Sequence, residues 1–306
     1  MQFAQIVTNP DIKKHLIDMV SGNRLSHALL FLGKEGSGAL PLSIAFAQYI
    51  LCEKVNPKTI RQTASLFGEP ETVPTREYPP DSCGVCASCT KIEKLIHPDL
   101  HFSFPALKKN TDHKKVISTD FITEWRQFIK DTPYYNVADW IQLLKDTPGA
   151  KIDSPANKQG NITRAECDDI MHKLSMKAFE SDYKILIMWM PEYLQAEGNR
   201  LLKLIEEPPP DTLFIFVAED EKAILPTILS RTQLIKIPSY EKEEIERVLT
   251  EKEVDPSKAS QIASIADGNL REALILLENA EEDWQKQLRD WLNVAVKNDV
   301  ASQLKW

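Results

Sequence analysis

The chain has 306 residues, 42% of them hydrophobic and 27% charged, with a formal net charge of −8. This composition indicates a globular protein with room for two domains. The negative charge argues against a chain that binds nucleic acid alone, because phosphate binding draws mainly on Lys and Arg. No apolar run approaches the roughly 20 residues of a membrane span, and the N-terminus lacks the features of a signal peptide. We therefore expect a cytoplasmic protein without membrane contact.

The first part of the chain is organised around a glycine-rich turn. After a helix that opens at Asn9, apolar residues 28–32 predict a buried strand, and the turn Gly33–Gly38 leads into an amphipathic run. Strand, glycine loop and helix in this order are typical of a phosphate-binding P-loop. The pattern is incomplete, because a P-loop ends in Gly-Lys-Ser/Thr and Gly38 is followed here by Ala39 and Leu40.

Two interpretations of this turn stay open. It is either a turn that supports the sheet and binds no ligand, or an inert site in which the amides of Gly36 and Gly38 hold a nucleotide or an anion. Lys34 cannot replace the missing lysine, since no glycine lies five residues before it.

Three clustered cysteines, Cys83, Cys86 and Cys89, are spaced so that their thiolates can converge on one ion. In a reducing compartment such a cluster indicates a metal site before a disulfide. A closed structural zinc site takes four ligands, and His97 is a back-up for the fourth. Reduced cysteines without a metal are the alternative.

Further along the chain, helices alternate with apolar strands. Residues 105–160 contain two apolar helical stretches centred on Trp125 and Trp140, and Thr163 with Glu166 predicts a capping box. The later strand candidates are 184–190, 212–218 and 233–237. This alternation indicates a doubly wound parallel sheet. After Pro238 the pattern is helical, with predicted helix starts at Ser239, Asp255 and Asn269.

In their order, these motifs resemble the clamp-loader subunits of bacterial DNA polymerase III, which belong to the AAA+ superfamily, and most of all the delta-prime type. The resemblance spans about Ile6 to Leu277 and is weakest at 53–82 and 105–160. It is carried by RLSHALLFLGKEGSG at 24–38, the cysteine cluster, HPDLH at 97–101, NRLLKLIEEPPP at 199–210, ILSRT at 228–232 and DGNLREAL at 267–274.

The resemblance implies an α/β fold: an AAA+ P-loop-type parallel sheet flanked by helices, with a zinc-binding insertion, followed by a small helical lid domain. The first domain implied is an AAA+ RecA-like domain at 1–238, which contains a zinc module at 52–96 and an insertion at about 105–160. A lid at 239–280 and the start of a truncated helical collar domain at 281–306 follow it.

Active ATPase subunits of the family carry a P-loop Lys and Thr, and an Asp-Glu pair at the end of the next buried strand. The matching positions here are Ala39, Leu40, Trp189 and Met190. Because the groups that neutralise phosphate, hold Mg²⁺ and orient water are replaced by apolar side chains, we do not expect ATP binding or hydrolysis. The degenerate nucleotide site that remains consists of Gly33, Gly36, Gly38 and Arg271, and pairing with an acid is the alternative role for Arg271.

The resemblance also implies metal ligands and one catalytic residue. Cys52 matches the family's remaining cysteine, so the implied ligands of a structural Zn²⁺ are Cys52, Cys83, Cys86 and Cys89. Arg231 matches the arginine of a Ser-Arg-Cys motif, which projects into the neighbouring subunit's ATP site. A surface salt bridge is the alternative for Arg231, and the acidic, proline-rich run 206–210 indicates a helix stop with at most an interface role.

The function implied is that of a non-hydrolysing subunit of the DNA polymerase III clamp-loader complex, which is part of the DNA-directed DNA polymerase holoenzyme. It would supply Arg231 in trans as an arginine finger during sliding-clamp loading in DNA replication. Its partners would be a gamma/tau-type ATPase, the delta subunit and, through the complex, the sliding clamp and primer-template DNA. In isolation we expect a monomer.

Two alternatives remain. A gamma/tau-type clamp-loader ATPase with an unorthodox site would bind Mg-ATP tightly. A zinc-dependent DNA-binding protein would show salt-sensitive DNA affinity.

Overall fold

The structure, a computed structural model, describes residues 1–7, 9–57, 78–108, 115–131, 134–147, 160–279, 289 and 292–293. The chain divides into two compact units, Met1–Tyr240 and a second that begins at Glu241. Within the described ranges, no helix combines the length and apolar character needed to cross a bilayer. The expected collar segment, 281–306, lies almost entirely outside these ranges, and the domain limits stay a prediction.

A five-stranded parallel sheet forms the centre of the first unit, with strand order β2-β3-β4-β1-β5. The strands are β1 (Ala28–Gly33), β2 (Leu100–Ser103), β3 (Lys184–Trp189), β4 (Thr212–Ala218) and β5 (Gln233–Ile237). The central strand β4 pairs with β1 and β3, so that Leu29 and Ile187 both lie opposite Ile215. Every residue of β3 and β4 is buried, which explains their continuous apolar sequences. The predicted parallel sheet flanked by helices is confirmed.

In the described part of the first unit, eight α-helices accompany the strands. They are α1 (Pro10–Ser21), α2 (Ala39–Leu51), α3 (Ala87–Glu93), α4 (Ile122–Asp131), α5 (Val137–Asp146), α6 (Arg164–Ser175), α7 (Leu202–Glu206) and α8 (Pro226–Leu229). Short 3-10 segments cover Phe3–Gln5, Ser118–Phe121, Pro191–Leu201 and Glu221–Ala223. The predicted start of α1 is confirmed, since the Asn9 side chain accepts a hydrogen bond from the Asp11 amide at 2.8 Å.

The capping box predicted at Thr163 is only half formed. Thr163 Oγ1 accepts a hydrogen bond from the Glu166 amide at 3.3 Å, but Glu166 Oε2 accepts from the Ser118 amide at 2.6 Å. Burial raises the pKa of this carboxyl. The Ser118 amide, 48 positions away, is therefore the donor to the Glu166 carboxylate in place of the Thr163 amide. A local sequence pattern cannot indicate such a contact.

The second unit contains α9 (Lys242–Glu251), α10 (Pro256–Ala266) and α11 (Leu270–Asn279). Asp255 caps α10 by accepting from the Ser257 amide at 2.9 Å, and Asn269 caps α11 by accepting from the Glu272 amide at 3.1 Å, as predicted. The start predicted at Ser239 is wrong: α9 begins after Glu241, whose own amide donates to Glu244 Oε2 at 2.9 Å.

An aromatic cluster joins α4 and α5 to the end of β3. Trp125 and Trp140 are completely buried, and their rings meet edge-on with 5.3 Å between centroids. Trp189, the last residue of β3, lies 5.3 Å from the Trp125 ring and 5.8 Å from the Phe128 ring. The two helical stretches expected within 105–160 thus form and pack, and Trp189 links them to the sheet.

We expect Trp189→Ala to lower the free energy of unfolding by about 3–5 kcal/mol, because it removes a buried ring that packs against Trp125 and Phe128. Urea denaturation followed by circular dichroism measures this. Phe179→Ala is the control, since that ring is 80% exposed and its loss should cost no more than about 0.5 kcal/mol. Equal effects of the two substitutions would contradict the packing described for Trp189.

Candidate functional site

The glycine loop connects β1 to α2 as the sequence predicts. Ser37 donates its amide hydrogen to the Lys34 carbonyl at 3.0 Å, which closes a turn. Gly36 and Gly38 have φ values of 71° and 80°, a left-handed conformation that favours glycine. Ala39 and Leu40 occupy the first turn of α2, and both are buried.

Two tyrosines cover this loop. Tyr240 Oη donates to the Val7 carbonyl at 2.7 Å, and the rings of Tyr134 and Tyr240 meet edge-on at 6.5 Å. A Cβ added to Gly38 would come within 2.1 Å of Tyr240 Oη and 3.3 Å of the Tyr134 ring. Sequence reasoning missed both tyrosines, because they lie about a hundred positions or more from the loop and belong to no motif.

Little space remains between the loop and its cover. The cavity in front of the loop has a volume of about 30 Å³, and Tyr135, Trp189 and Met190 also line it. This is room for one or two water molecules, whereas sites for small molecules usually measure at least about 300 Å³. In this conformation the loop has no space for a nucleotide.

The end of β3 offers no carboxylate to the loop, since its last residue is Trp189 and Met190 follows. Glu192, two residues further on, accepts hydrogen bonds at Oε1 from the amides of Glu219 at 2.7 Å and Asp220 at 3.0 Å. Burial raises the pKa of the Glu192 carboxyl. Glu192 therefore braces the chain after β4.

The four predicted cysteine ligands come together. The sulfurs of Cys52, Cys83, Cys86 and Cys89 all lie within 4.8 Å of one another, and those of Cys83 and Cys89 are 3.9 Å apart. Zn–S bonds of about 2.3 Å in a tetrahedron place the sulfurs about 3.8 Å apart, so the arrangement fits one zinc-sized ion. These four cysteines could hold a metal.

Backbone donors reinforce the cluster. The amides of Cys83 and Cys86 each donate to the preceding cysteine sulfur of the set at 3.3 Å. The hydrogen bond from the Cys89 thiol lowers the pKa of Cys52 to about 4, and the same bond together with burial raises the pKa of Cys89. A bound cation would favour deprotonation of the remaining thiols.

His97, the back-up ligand, lies apart from this group of sulfurs. Its Nδ1 accepts from the Asp99 amide at 3.1 Å, and its Nε2 contacts the hydroxyls of Ser88 and Ser181 at 3.3 and 3.4 Å. Burial lowers the pKa of His97. Cys167 is buried separately in α6.

The two candidate arginines lie in different units. Arg231 follows α8 and pairs with Glu206, the last residue of α7, through Nε at 2.6 Å. Its side chain is 32% exposed. Arg271 is half-buried near the start of α11 in the second unit, and its role at a nucleotide site stays a prediction.

Comparison with known proteins supports the resemblance. The family model described as DNA polymerase III, delta subunit, matches residues 148–241. The DNA polymerase III subunit delta' of Bacillus subtilis is 25% identical over 273 residues, which is 89% of this chain and 60% of that protein. The chain is thus similar to a subunit of DNA polymerase III.

The sequence similarity extends beyond the delta' type. The tau subunit of Salmonella typhimurium is also 25% identical, over 284 residues, and the match covers 91% of this chain and 33% of that protein. The chain thus spans about three fifths of the delta' protein and one third of the tau protein. The solved structure of a RuvB point mutant from Thermotoga maritima covers 90% of this chain and 63% of its own at 11% identity, with a TM-score of 0.42.

We expect Gly38→Ala to destabilise the protein, since a left-handed alanine alone costs about 1–3 kcal/mol and its Cβ would meet Tyr240 Oη. Tyr240→Phe removes that oxygen, at a cost of about 1 kcal/mol for the lost hydrogen bond to Val7. The double variant should therefore lose less stability than the sum of the two single variants, as measured by urea denaturation. Strict additivity would contradict the contact.

Proposed function

We propose that this chain is a non-hydrolysing, cytoplasmic subunit of a DNA polymerase III clamp loader, similar to the delta' type. In this function it supplies Arg231 to the ATP site of a neighbouring gamma/tau-type subunit during sliding-clamp loading. The observation that carries the proposal is an asymmetry: the chain's own nucleotide loop is filled by its tyrosines, while an arginine in the position of the family's finger is accessible at the surface.

The filled loop supports the absence of hydrolysis. Phosphoryl transfer depends on positioned positive charge and on a metal held beside the phosphates. In this chain Ala39, Leu40, Trp189 and Met190 line that position, and the cavity of about 30 Å³ has no room for a triphosphate. Of the two interpretations of the turn, the one without a ligand is the better supported.

The surroundings of Arg231 support a role outside its own subunit. Arg231 lies between the four-residue helix α8 and the edge strand β5. An arginine finger is worth on the order of 10³-fold or more in rate because it stabilises charge on the transferring phosphoryl group. A surface pair such as Arg231 with Glu206 contributes little stability on its own, so the pair does not by itself account for an arginine at this position.

A gamma/tau-type ATPase is the second candidate, because the tau subunit matches at the same identity. That function would require Tyr134 and Tyr240 to leave the loop. The third, a zinc-dependent DNA-binding protein, has less support. Of the two lysines that follow the cysteine run, Lys91 is paired with Glu180 at 2.5 Å, which reduces the basic charge available for phosphates.

The cysteine cluster is proposed to hold one structural Zn²⁺ ion. When bound, the ion would cross-link the end of α2, where Cys52 lies, to the loop before α3. With four protein ligands no position remains for a catalytic water. The role is therefore to hold this module against α2.

The purified protein should contain one zinc ion per chain, and Cys89→Ala should abolish it because three thiolates do not close the site. Metal analysis after gel filtration, with a weak chelator present, measures the content. Cys167→Ala is the matched control, since Cys167 is equally buried but lies outside the cluster. A fully metal-loaded Cys89→Ala variant would contradict the ligand set.

In a complex reconstituted with a gamma/tau-type ATPase subunit, we expect Arg231→Ala to slow hydrolysis by on the order of 10³-fold at the one ATP site that this arginine serves. Single-turnover measurements isolate that site. Arg200→Ala is the matched control, because Arg200 is a surface arginine of similar exposure that pairs with Glu197 and Asp168.

Two results would overturn the proposed function. One is an unchanged rate for the Arg231→Ala complex when gel filtration shows that it assembles. The other is Mg²⁺-dependent ATP hydrolysis by the purified chain alone, which would instead favour the gamma/tau-type ATPase.

A further inference from the structure

We propose that Glu206 is a positioning residue for Arg231, which holds the guanidinium against its own subunit until a phosphate on a neighbouring subunit competes for it. This inference rests on the proposed function of Arg231. It also gives a role to the acidic residue that opens the proline-rich run 206–210, which the sequence identified only as a helix stop.

Two of the three guanidinium nitrogens donate hydrogen bonds within the chain, and the third lies in an ion pair. Its Nε donates to Glu206 Oε1 at 2.6 Å, and its Nη2 forms an ion pair with the same oxygen. Its Nη1 donates to the Thr227 carbonyl at 2.8 Å and to Ser230 Oγ at 3.0 Å. These hydrogen bonds take up the N–H of Nε and both N–H groups of Nη1, which leaves the two N–H groups of Nη2, the nitrogen of the ion pair.

The paired contacts by which arginine recognises phosphate use two parallel N–H donors on different nitrogens, and neither Nε nor Nη1 has an N–H left to join one from Nη2. Arg231 must therefore give up some of its present contacts before it can act in trans. Those to Thr227 and Ser230 lie within the turn that carries Arg231. Glu206 is the one charged partner among its contacts, and it is the group that a phosphate would displace.

The fold brings Glu206 and Arg231 together although they lie 25 positions apart. Glu206 is the last residue of α7, and the prolines from Pro208 onward prevent the helix from continuing. A carboxylate at a helix C-terminus is unfavourable, because it lies beside the negative end of the helix dipole. The guanidinium of Arg231 compensates this charge, so each group stabilises the other.

The ion pair between Glu206 and Arg231 is weak enough to be reversible. Glu206 and Arg231 are 44% and 32% exposed, and exposed pairs of this kind change an equilibrium by no more than about fivefold. A triphosphate carries more negative charge than a single carboxylate and can offer two oxygens to the fork. Glu206 would thus hold the Arg231 side chain against its own subunit while that subunit is free. On contact with an ATP-loaded neighbour it would release the side chain.

The test is Glu206→Gln, which preserves the shape of the side chain and removes its charge. The full chain is titrated onto the gamma/tau-type ATPase subunit, and the chain concentration that gives half-maximal stimulation of ATP hydrolysis is measured. We expect this concentration to fall about two- to fivefold, with the maximal rate unchanged. Binding to the nucleotide-free ATPase subunit should not change, since no phosphate then competes for Arg231.

Glu207→Gln is the matched control, because it alters the net charge equally but Glu207 is not among the contacts of Arg231. It should leave the half-maximal concentration unchanged. The double variant Arg231→Ala/Glu206→Gln should behave like Arg231→Ala, since a carboxylate that acts only through Arg231 has no effect once that residue is gone.

The inference is overturned if Glu206→Gln leaves the half-maximal concentration unchanged, raises it, or lowers the maximal rate, which would mean that the carboxylate aims the finger instead of restraining it. It is also overturned if the effect persists in the Arg231→Ala background. In each case a normal loss of rate for Arg231→Ala leaves the proposed function intact. An unchanged rate for Arg231→Ala removes both.

Discussion

Close packing in front of the glycine loop is the constraint on which the first unit depends. Gly38 has no side chain, and the space that a Cβ would take is occupied by the Tyr240 hydroxyl, which is fixed by its hydrogen bond to Val7. Tyr134 completes the cover from the segment between α4 and α5. Since protein interiors tolerate few voids, the site where other P-loop proteins hold a phosphate is closed here by the chain itself.

The aromatic cluster extends the same constraint to the sheet. Trp189 stands at the end of β3, where an ATPase needs a carboxylate, and its ring packs between Trp125 and Phe128 of α4. A carboxylate at this position would be buried among aromatic rings at a high cost in desolvation. The packing of α4 and α5 against Trp189 thus disfavours a carboxylate at this position, which supports the proposed absence of hydrolysis.

The two other candidate sites lie on different parts of the same scaffold. The cysteine cluster joins the end of α2 to the turn before α3, so the helix that follows the glycine loop is held at both ends. Arg231 lies beside the C-terminus of α7, where Glu206 neutralises it. In the proposed function the first site is purely structural, while the second is the part of the phosphoryl-transfer machinery that the chain retains.

By itself, the sequence determined four of the five strands, most helix starts, the incomplete glycine loop and the cluster of Cys83, Cys86 and Cys89, because these follow from apolar runs, capping residues and short spacings. Cys52 joined the cluster only through the family resemblance. It could not show that Tyr134 and Tyr240 close the loop, that Glu166 turns to Ser118, or that Glu206 holds Arg231. These contacts join residues between 25 and about 200 positions apart. Only tertiary packing decides them, since they depend on which side chains meet once the helices lie against the sheet.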